Sequence, residues 1–385
     1  MSINDIPLDI VINSIAIAGL LLVLYLYRIS KKSTIATKDP KKKRTINTAT
    51  FGGIQEDSEP SLKLRNPKDV PEPSDEFKSF ELLDDVINDK QRKIIDNASS
   101  LKKPHPLLMS LTRDINDPKE LMDIIKNDPE LVVKVIKVAN SSLFALRKSI
   151  TTINHAIVYL GVLQAKNIAM QFALEHSAEF ISQEQKRAYH RIWKASFLAS
   201  SIGLLIAKDL KMDNSAELST RCLLDYLGDI SLLTAKPEIA TFYLNNTSFF
   251  ERVLNIQNIL GTNASIMGKA FAKNAQLPEE IVESLGANTL PLVDKLKDSE
   301  LSLEQQGVVA FSYIICRITD MIVFERAMDN VNIDEISYAE TGCESFFHSE
   351  ALVQHYGLGR INSTLRKAKF RQDVASIVDR LALNS

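Results

Sequence analysis

The chain has 385 residues, of which 45% are hydrophobic and 24% are charged, and its formal net charge is -2 at pH 7. This apolar content excludes a disordered protein, and a nearly neutral chain has no overall field that would attract nucleic acid or an acidic substrate. The length allows one large core or two lobes with extensions. Three widely spaced cysteines without a C-x-x-C motif indicate free thiols in a reducing compartment: Cys222, Cys316 and Cys343.

The first predicted element is a membrane-spanning helix from Leu8 to Tyr27. Its length suits a helix that crosses a ~30 Å hydrocarbon core, and its polar residues, Asp9, Asn13 and Ser14, lie toward one end, where charge costs least. The segment has no basic region before it and no A-x-A-like site, so cleavage as a signal peptide is not expected. Basic residues follow the span, and the positive-inside rule therefore predicts a short periplasmic end at 1–7 and a cytoplasmic remainder at a bacterial inner membrane.

Residues 28–75 are predicted to form a flexible cytoplasmic linker, because they are rich in charge, Ser, Thr and Pro and show no sustained apolar period. A basic run, KKKR at 41–44, favours a topology signal beside the bilayer. Contact of this run with anionic lipid or nucleic acid is the alternative.

Helical periodicity begins near Phe77, and residues 76–103 are predicted to be a helical lead-in. Two helix starts follow, at Asp117-Pro118 and at Asp128-Pro129. In each, the aspartate can cap the helix and proline fills a first-turn position whose N–H needs no partner. Further helices are predicted around "IWKASFLASSIGLLIAKDL" and from Pro278. Strand alternation is missing from this pattern, so the predicted fold is an all-α bundle.

The segment from Val308 to Phe324 is the most hydrophobic after the anchor. Arg317 and Asp320 lie three residues apart in its middle, where lipid would tolerate them poorly. We therefore expect a core helix with an internal ion pair rather than a second membrane span.

Residues 291–385 are predicted to extend the bundle. Leu358, Ile361 and Leu365 recur at helical spacing beside a basic face, which favours a solvated helix surface over one that meets a partner or lipid headgroups. The basic residues are Arg360, Arg366, Lys367, Lys369 and Arg371.

Residues 104–290 contain an ordered set of motifs: "LMDIIKNDPELVVKVIKVANSSLF", "SITTINHAIVYLGVLQAKNIAM", "WKASFLASSIGLLIA", "CLLDYLGDISLL" and "MGKAFAKNAQLPEEIVESL". The set shows a resemblance to the HDOD domain, a relative of the HD-domain metal phosphohydrolases in bacterial signalling proteins. It implies an HD-like helical bundle behind the predicted anchor and linker. Structural roles explain the matching residues Asp128, Pro129, Asn140, Ser141, Gly161, Trp193 and Gly228.

The metal-ligand positions of the HD enzymes hold other residues in this chain. Asp225 and Tyr226 stand at the His-Asp dyad, Asn263 at a later histidine, and Asn288-Thr289 at a terminal His-His pair. Asn and Thr are poor metal ligands as a set, and one aspartate cannot hold a divalent cation. The resemblance therefore implies no metal, no cofactor and no catalysis. Its degenerate pocket, expected to take a ligand or partner, consists of Asp225, Tyr226, Asn263 and Asn288.

The expected function is a membrane-tethered cytoplasmic signalling or scaffold protein whose partner is an unknown signalling protein or a small ligand. One alternative is a metal-dependent phosphodiesterase acting on nucleotides. The other is a nucleic-acid-associated regulator that uses the basic segments, although the near-neutral charge does not favour nucleic acid.

Overall fold

A computed structural model describes residues 70–83, 91–95, 107–140, 150–175, 181–325 and 336–382. The predicted periplasmic end, membrane helix and most of the predicted linker lie outside these residues, and so does Ser141.

Every regular element in the described part of the chain is helical, so the predicted all-α fold is confirmed there. The α-helices of the first half are α1 (Asp75–Lys78), α2 (Leu108–Leu111), α3 (Pro118–Ile125), α4 (Pro129–Ala139), α5 (Ile153–Leu160), α6 (Val162–Glu175), α7 (Gln183–Asp209), α8 (Ser215–Leu224) and α9 (Leu227–Ala235). The second half contains α10 (Thr241–Leu244), α11 (Phe249–Leu260), α12 (Ala264–Asn274), α13 (Glu279–Gly286), α14 (Leu303–Asp320), α15 (Tyr338–Thr341), α16 (Ser349–His355), α17 (Arg360–Leu365) and α18 (Ala368–Ala382).

Short helical turns complete the chain. A π-helical turn, Met321–Glu325, follows α14 directly, and 3₁₀ turns cover Pro237–Ala240, Leu290–Val293, Leu296–Asp298 and Glu344–Phe346.

Both aspartate-proline helix starts are confirmed. The Asp117 carboxylate accepts a bond from the Lys119 N–H at 3.0 Å, and Asp128 accepts from the Leu131 N–H at 3.1 Å. Each bond satisfies a first-turn donor that has no intrahelical acceptor. Pro118 and Pro129 are the first residues of α3 and α4.

Asn140 and Gly161 end their helices by different means. The Asn140 side-chain amide donates to the Ile136 carbonyl at 2.9 Å and to the Ile150 carbonyl at 2.7 Å, and its Oδ1 accepts from the Ile150 N–H. Gly161 follows α5 with a φ of 80°, a conformation that costs glycine little because it has no Cβ.

The long helix α7 runs through the middle of the bundle and packs against α8 and α14. It begins at Gln183, well before the apolar stretch that predicted it, because the Ser182 hydroxyl accepts from the Gln185 N–H and starts a polar first section. Trp193 therefore lies inside the helix, stacked on Phe197 with ring centroids 5.8 Å apart.

The predicted core helix is confirmed as α14 and the π turn after it. Leu303–Glu325 is the one described segment long and apolar enough to cross a membrane, yet its apolar window is wholly buried in the protein. The Arg317 guanidinium and the Asp320 carboxylate form the predicted ion pair at 3.1 Å.

The C-terminal basic segment forms two helices, α17 and α18, instead of one continuous face. Leu358, Ile361 and Leu365 are buried, as their spacing predicts. Lys367 is bound to Asp209 at the end of α7, with an Nζ–Oδ1 distance of 2.6 Å.

Gly228 sets the distance between α9 and α12. A Cβ atom at this position would lie 1.9 Å from the Ala264 carbonyl oxygen, and a Cβ at Gly268 would lie 3.3 Å from the Gly228 nitrogen. The backbones of the two helices therefore touch where α9 begins, which leaves no room for any side chain at Gly228.

Gly228→Ala is expected to destabilise the protein, because α9 must move away from α12 to admit a methyl group. Overpacking of this kind costs about 1–3 kcal/mol and occasionally more. The measurement is chemical denaturation of the full chain followed by circular dichroism. Gly359→Ala is the matched control, since a Cβ there meets nothing within 4 Å. Equal unfolding midpoints for the two variants would contradict the close contact.

Candidate functional site

Asp225 and Tyr226 form the junction between α8 and α9, because Asp225 ends the first helix and Tyr226 precedes the second. The Tyr226 hydroxyl donates to Asp320 Oδ1 at 2.9 Å, with the Cys316 carbonyl oxygen as a second acceptor at 3.1 Å. Both residues are buried, with exposed fractions of 7% for Asp225 and 2% for Tyr226. The junction therefore faces α14 rather than solvent.

Two arginines form ion pairs with the carboxylate of Asp320. Arg252 of α11 lies 2.7 Å from Asp320 Oδ2, and Arg317 of α14 lies 3.1 Å from it. All three side chains are almost completely buried. We call Arg252, Arg317 and Asp320 the arginine cluster.

Aromatic rings replace water around the two guanidinium groups. The Arg317 guanidinium lies 3.2 Å from the centroid of the Phe249 ring, and that of Arg252 lies 4.4 Å from the centroid of Phe324. Cation–π contacts of this kind contribute most where water is excluded. Arg252 also donates to the Thr247 carbonyl at 3.0 Å.

The carboxyl groups nearest the arginine cluster have raised pKa values. Burial raises the pKa of Asp225 to about 6, although the positive charge of Arg317 opposes the shift. Burial also raises the pKa of Glu325 to about 7 and that of Asp229, which accepts a 2.7 Å bond from the Tyr243 hydroxyl. For Arg252 and Arg317, burial acts to lower the pKa, but Asp320 and the other acidic groups nearby together outweigh it, and the net direction is upward.

The other two residues of the predicted pocket, Asn263 and Asn288, lie away from the arginine cluster, near the start of α12. Asn263 caps this helix by accepting the Ile266 N–H at 3.1 Å. The residue is only 1% exposed, yet its side-chain nitrogen has no hydrogen-bond partner among the described residues. Asn288 bridges the two places: Nδ2 donates to the Asp225 carbonyl at 3.2 Å, and Oδ1 accepts from the Ser265 hydroxyl.

A cleft of about 580 Å³ lies beside Asn263, and we call it the Asn263 cleft. This is within the size range of small-molecule sites. Its polar lining includes Asn263, Ser265, Thr289, Lys295 and Glu300, and its apolar lining includes Leu82, Leu83, Ile266 and Leu290.

Leu82 and Leu83 belong to the segment before the matched motifs, and Gln257 holds that segment in place. The Gln257 side chain donates to the Glu81 carbonyl at 2.7 Å and accepts from the Leu83 N–H at 3.1 Å. This pair of bonds fixes the backbone across the surface of α11 and so places the two leucines at the cleft.

Residues 104–291 match the model of the HDOD domain family. The chain contains an HDOD domain. No curated protein is similar enough to the chain to count as a match.

Solved structures of similar proteins include one HDOD domain protein. That protein, from Geobacter sulfurreducens, is 16% identical over 74% of this chain and 98% of its own, with a TM-score of 0.48. A Shewanella amazonensis SB2B protein, provisionally named a phosphohydrolase, is 17% identical over 75% and 97%, with a TM-score of 0.48. The MmoQ response regulator of Methylococcus capsulatus str. Bath is 18% identical over 59% and 84%, with a TM-score of 0.31.

The described residues that surround the dyad position do not fit a divalent metal. Both oxygens of Asp320 already have partners, Oδ1 with Tyr226 and Oδ2 with the two arginines. Within the described residues, no three His, Cys, Asp or Glu side chains come together as a metal site requires. A cation placed beside Asp225 would also meet the positive charge of Arg317, which acts on that carboxylate.

The sequence indicated only two of the three residues of the arginine cluster. Arg317 and Asp320 are neighbours on one helix, but Arg252 lies 68 residues before Asp320, on another helix. A signal did exist, because Phe249, Val253 and Ile256 form the apolar face of α11 and Arg252 lies on that buried side. A cation on such a face requires an internal counter-ion.

Asp320→Asn is expected to destabilise the protein by about 3–5 kcal/mol, because it leaves two buried guanidinium groups without a counter-charge. Chemical denaturation of the full chain measures the change. The control is Asp294→Asn, which removes the partner of a solvent-exposed Lys297 and should leave the midpoint unchanged. If both variants unfold at the wild-type midpoint, the arginine cluster does not support the fold.

Asp225 is expected to make stability depend on pH. Its pKa rises from an ordinary 3.8 to about 6 on folding, so the folded chain holds the extra proton between these values. Its stabilising contribution is complete below about pH 4 and is lost as the pH rises through about 6, with an upper limit of roughly 3 kcal/mol. Asp225→Asn should therefore flatten the decline in unfolding free energy between pH 4 and 6.

Denaturant midpoints measured at intervals across that range check the prediction. Asp213→Asn, an exchange at an exposed position, serves as the control and should follow the wild-type profile. Parallel profiles for wild type and Asp225→Asn would show that the carboxyl group titrates alike in both states.

Proposed function

We propose that the chain is a non-catalytic HDOD protein of bacterial signal transduction, tethered to the inner membrane, which binds a protein partner or a small ligand on its cytoplasmic side. The observation that carries the proposal is the occupation of Asp320 by Arg252, Arg317 and Tyr226. Asp320, whose carboxylate accepts from Tyr226 of the dyad position, is neutralised by the chain's own cations.

The structure of the site supports binding without chemistry. Charged groups that act on a substrate must reach it, yet the arginine cluster is closed to solvent. The Asn263 cleft, in contrast, has a size and a mixed polar and apolar lining suited to a ligand. A partner or ligand bound there would be sensed through Asn288, which reaches the backbone of Asp225.

The tether rests on the sequence from Leu8 to Tyr27. A single anchored helix followed by a long linker keeps the domain near membrane partners and raises its effective concentration for them. The nucleic-acid alternative has less support, because basic groups of the C-terminal segment have partners within the protein: Lys367 with Asp209, and Arg371 with the Arg366 carbonyl.

The full chain, extracted from membranes in detergent, is expected to bind no stoichiometric metal and to leave phosphodiesters intact. The test incubates it with Mn²⁺ or Mg²⁺ and bis(p-nitrophenyl) phosphate, and measures both metal content and p-nitrophenol release. Stoichiometric metal together with turnover would favour the phosphodiesterase alternative and end the present proposal.

Expression of the chain with and without residues 8–27 tests the predicted membrane anchor. The full chain should sediment with membranes, and a chain lacking residues 8–27 should remain in the soluble fraction. Crosslinking in cells should then lose the main partners of the full chain when this segment is deleted. Equal sedimentation of the two chains would contradict an anchor at this position.

A further inference from the structure

The Asn263 cleft contains a hydrogen-bond donor that the protein leaves unused. Asn263 Nδ2 is buried and has no partner among the described residues, while Oδ1 of the same side chain is engaged by the Ile266 N–H. An unsatisfied buried donor costs about 1–3 kcal/mol. A ligand that offers an acceptor atom here would remove that cost.

The donor lies at the positive end of a helix. Asn263 is the N-cap of α12, which has 11 residues, so its first N–H groups and its macrodipole both favour negative charge at this point. The Asn263 side chain satisfies only the Ile266 N–H among these groups. The helix start and the unused amide therefore favour the same kind of atom, an anionic oxygen.

The remaining polar lining adds hydroxyl groups and one cation. Ser265 and Thr289 are buried in contact with each other, and the Thr289 N–H donates to the Ser265 hydroxyl oxygen at 3.2 Å. Lys295 is exposed and contributes a mobile positive charge, which the equally exposed Glu300 partly offsets. This balance suits one acidic group better than a highly charged ligand.

The other part of the cleft is apolar. Leu82, Leu83, Ile266 and Leu290 line it, and the Gln257 bonds hold the first two in place. Buried apolar area contributes about 25 cal/mol per Å², so a ligand with an apolar body gains affinity over a bare anion.

We propose that the Asn263 cleft binds a small amphiphilic anion, whose phosphate or carboxylate group accepts from Asn263 Nδ2 at the start of α12 and whose apolar body contacts the leucines. The inference deepens the proposed function and rests on it only in that the ligand binds and dissociates without reacting.

Asn288 gives this site a route to the arginine cluster. Its side chain bonds the Ser265 hydroxyl of the cleft wall on one side and the Asp225 carbonyl on the other. An anion that accepts hydrogen bonds from the hydroxyl groups of the cleft wall changes the partners of Ser265. Through Asn288, this change acts on the junction between α8 and α9.

Isothermal titration calorimetry of the full chain in detergent tests the proposal with three probes: phenyl phosphate, inorganic phosphate and benzyl alcohol. Phenyl phosphate is expected to bind saturably and more tightly than either of the others, because only it carries both groups. Benzoate in place of phenyl phosphate separates a carboxylate preference from a phosphate preference, and saturable binding of either anion supports the proposal.

Asn263→Asp is the sharpest variant, since it keeps the oxygen that caps α12 and replaces the donor nitrogen with an anionic oxygen. It should weaken phenyl phosphate binding roughly tenfold or more. The matched control is Asn214→Asp, the same exchange at the N-cap of α8, which lies outside the cleft lining and should not change the affinity.

Two exposed positions keep the test decisive if Asn263→Asp fails to fold. Lys295→Glu should weaken binding several-fold and Glu300→Gln should strengthen it, because both act on the ligand through its charge. The proposal is overturned if neither anion binds saturably, or if binding is the same in every folded variant. Release of phenol from phenyl phosphate with Mn²⁺ would instead overturn the non-catalytic function and leave the cleft assignment standing.

Discussion

The contact between Asp320 and two buried arginines constrains the rest of the structure. Burying three charges is costly, and ion pairs and hydrogen bonds offset only part of that cost here, because the Nε atom of each arginine has no hydrogen-bond partner among the described residues. Arg252 is held by Asp320, Thr247 and the Phe324 ring, and Arg317 by Asp320 and the Phe249 ring. These contacts fix how α11 and α14 pack together.

The four residues of the predicted pocket lie in two different places in the structure. Tyr226 lies against the arginine cluster, whereas Asn263 lies at the cleft, and the link between them is Asn288. Gly228 makes this arrangement possible, because the direct contact of α9 with Ala264 brings the dyad position beside the start of α12. The lack of a side chain at Gly228 therefore allows the buried arginine cluster and the Asn263 cleft to lie close together.

Local signals in the sequence predicted much of the fold. The caps at Asp117 and Asp128 and the left-handed glycine at Gly161 depend on residues within one turn, so a single sequence contains all the information needed. Arg317 and Asp320 were predicted as a pair for the same reason, since they are one helical turn apart.

Features that depend on packing between distant segments were not predictable. The place of Arg252 depends on how α11 crosses α14, and that of Leu83 depends on a bond to Gln257, 174 residues away in the chain. Periodicity identifies the buried face of each helix but not the face it meets. The Asn263 cleft is built from contacts between distant segments, so sequence patterns alone could not predict it.

The arginine cluster also explains why the dyad position tolerates Tyr226. In a metal site, a carboxylate beside Asp225 would share the positive charge of the ion. Here the positive charge comes from Arg252 and Arg317, and a carboxylate in place of the Tyr226 hydroxyl would face Asp320 Oδ1 and be repelled by its negative charge. A tyrosine hydroxyl supplies a neutral donor to Asp320 instead.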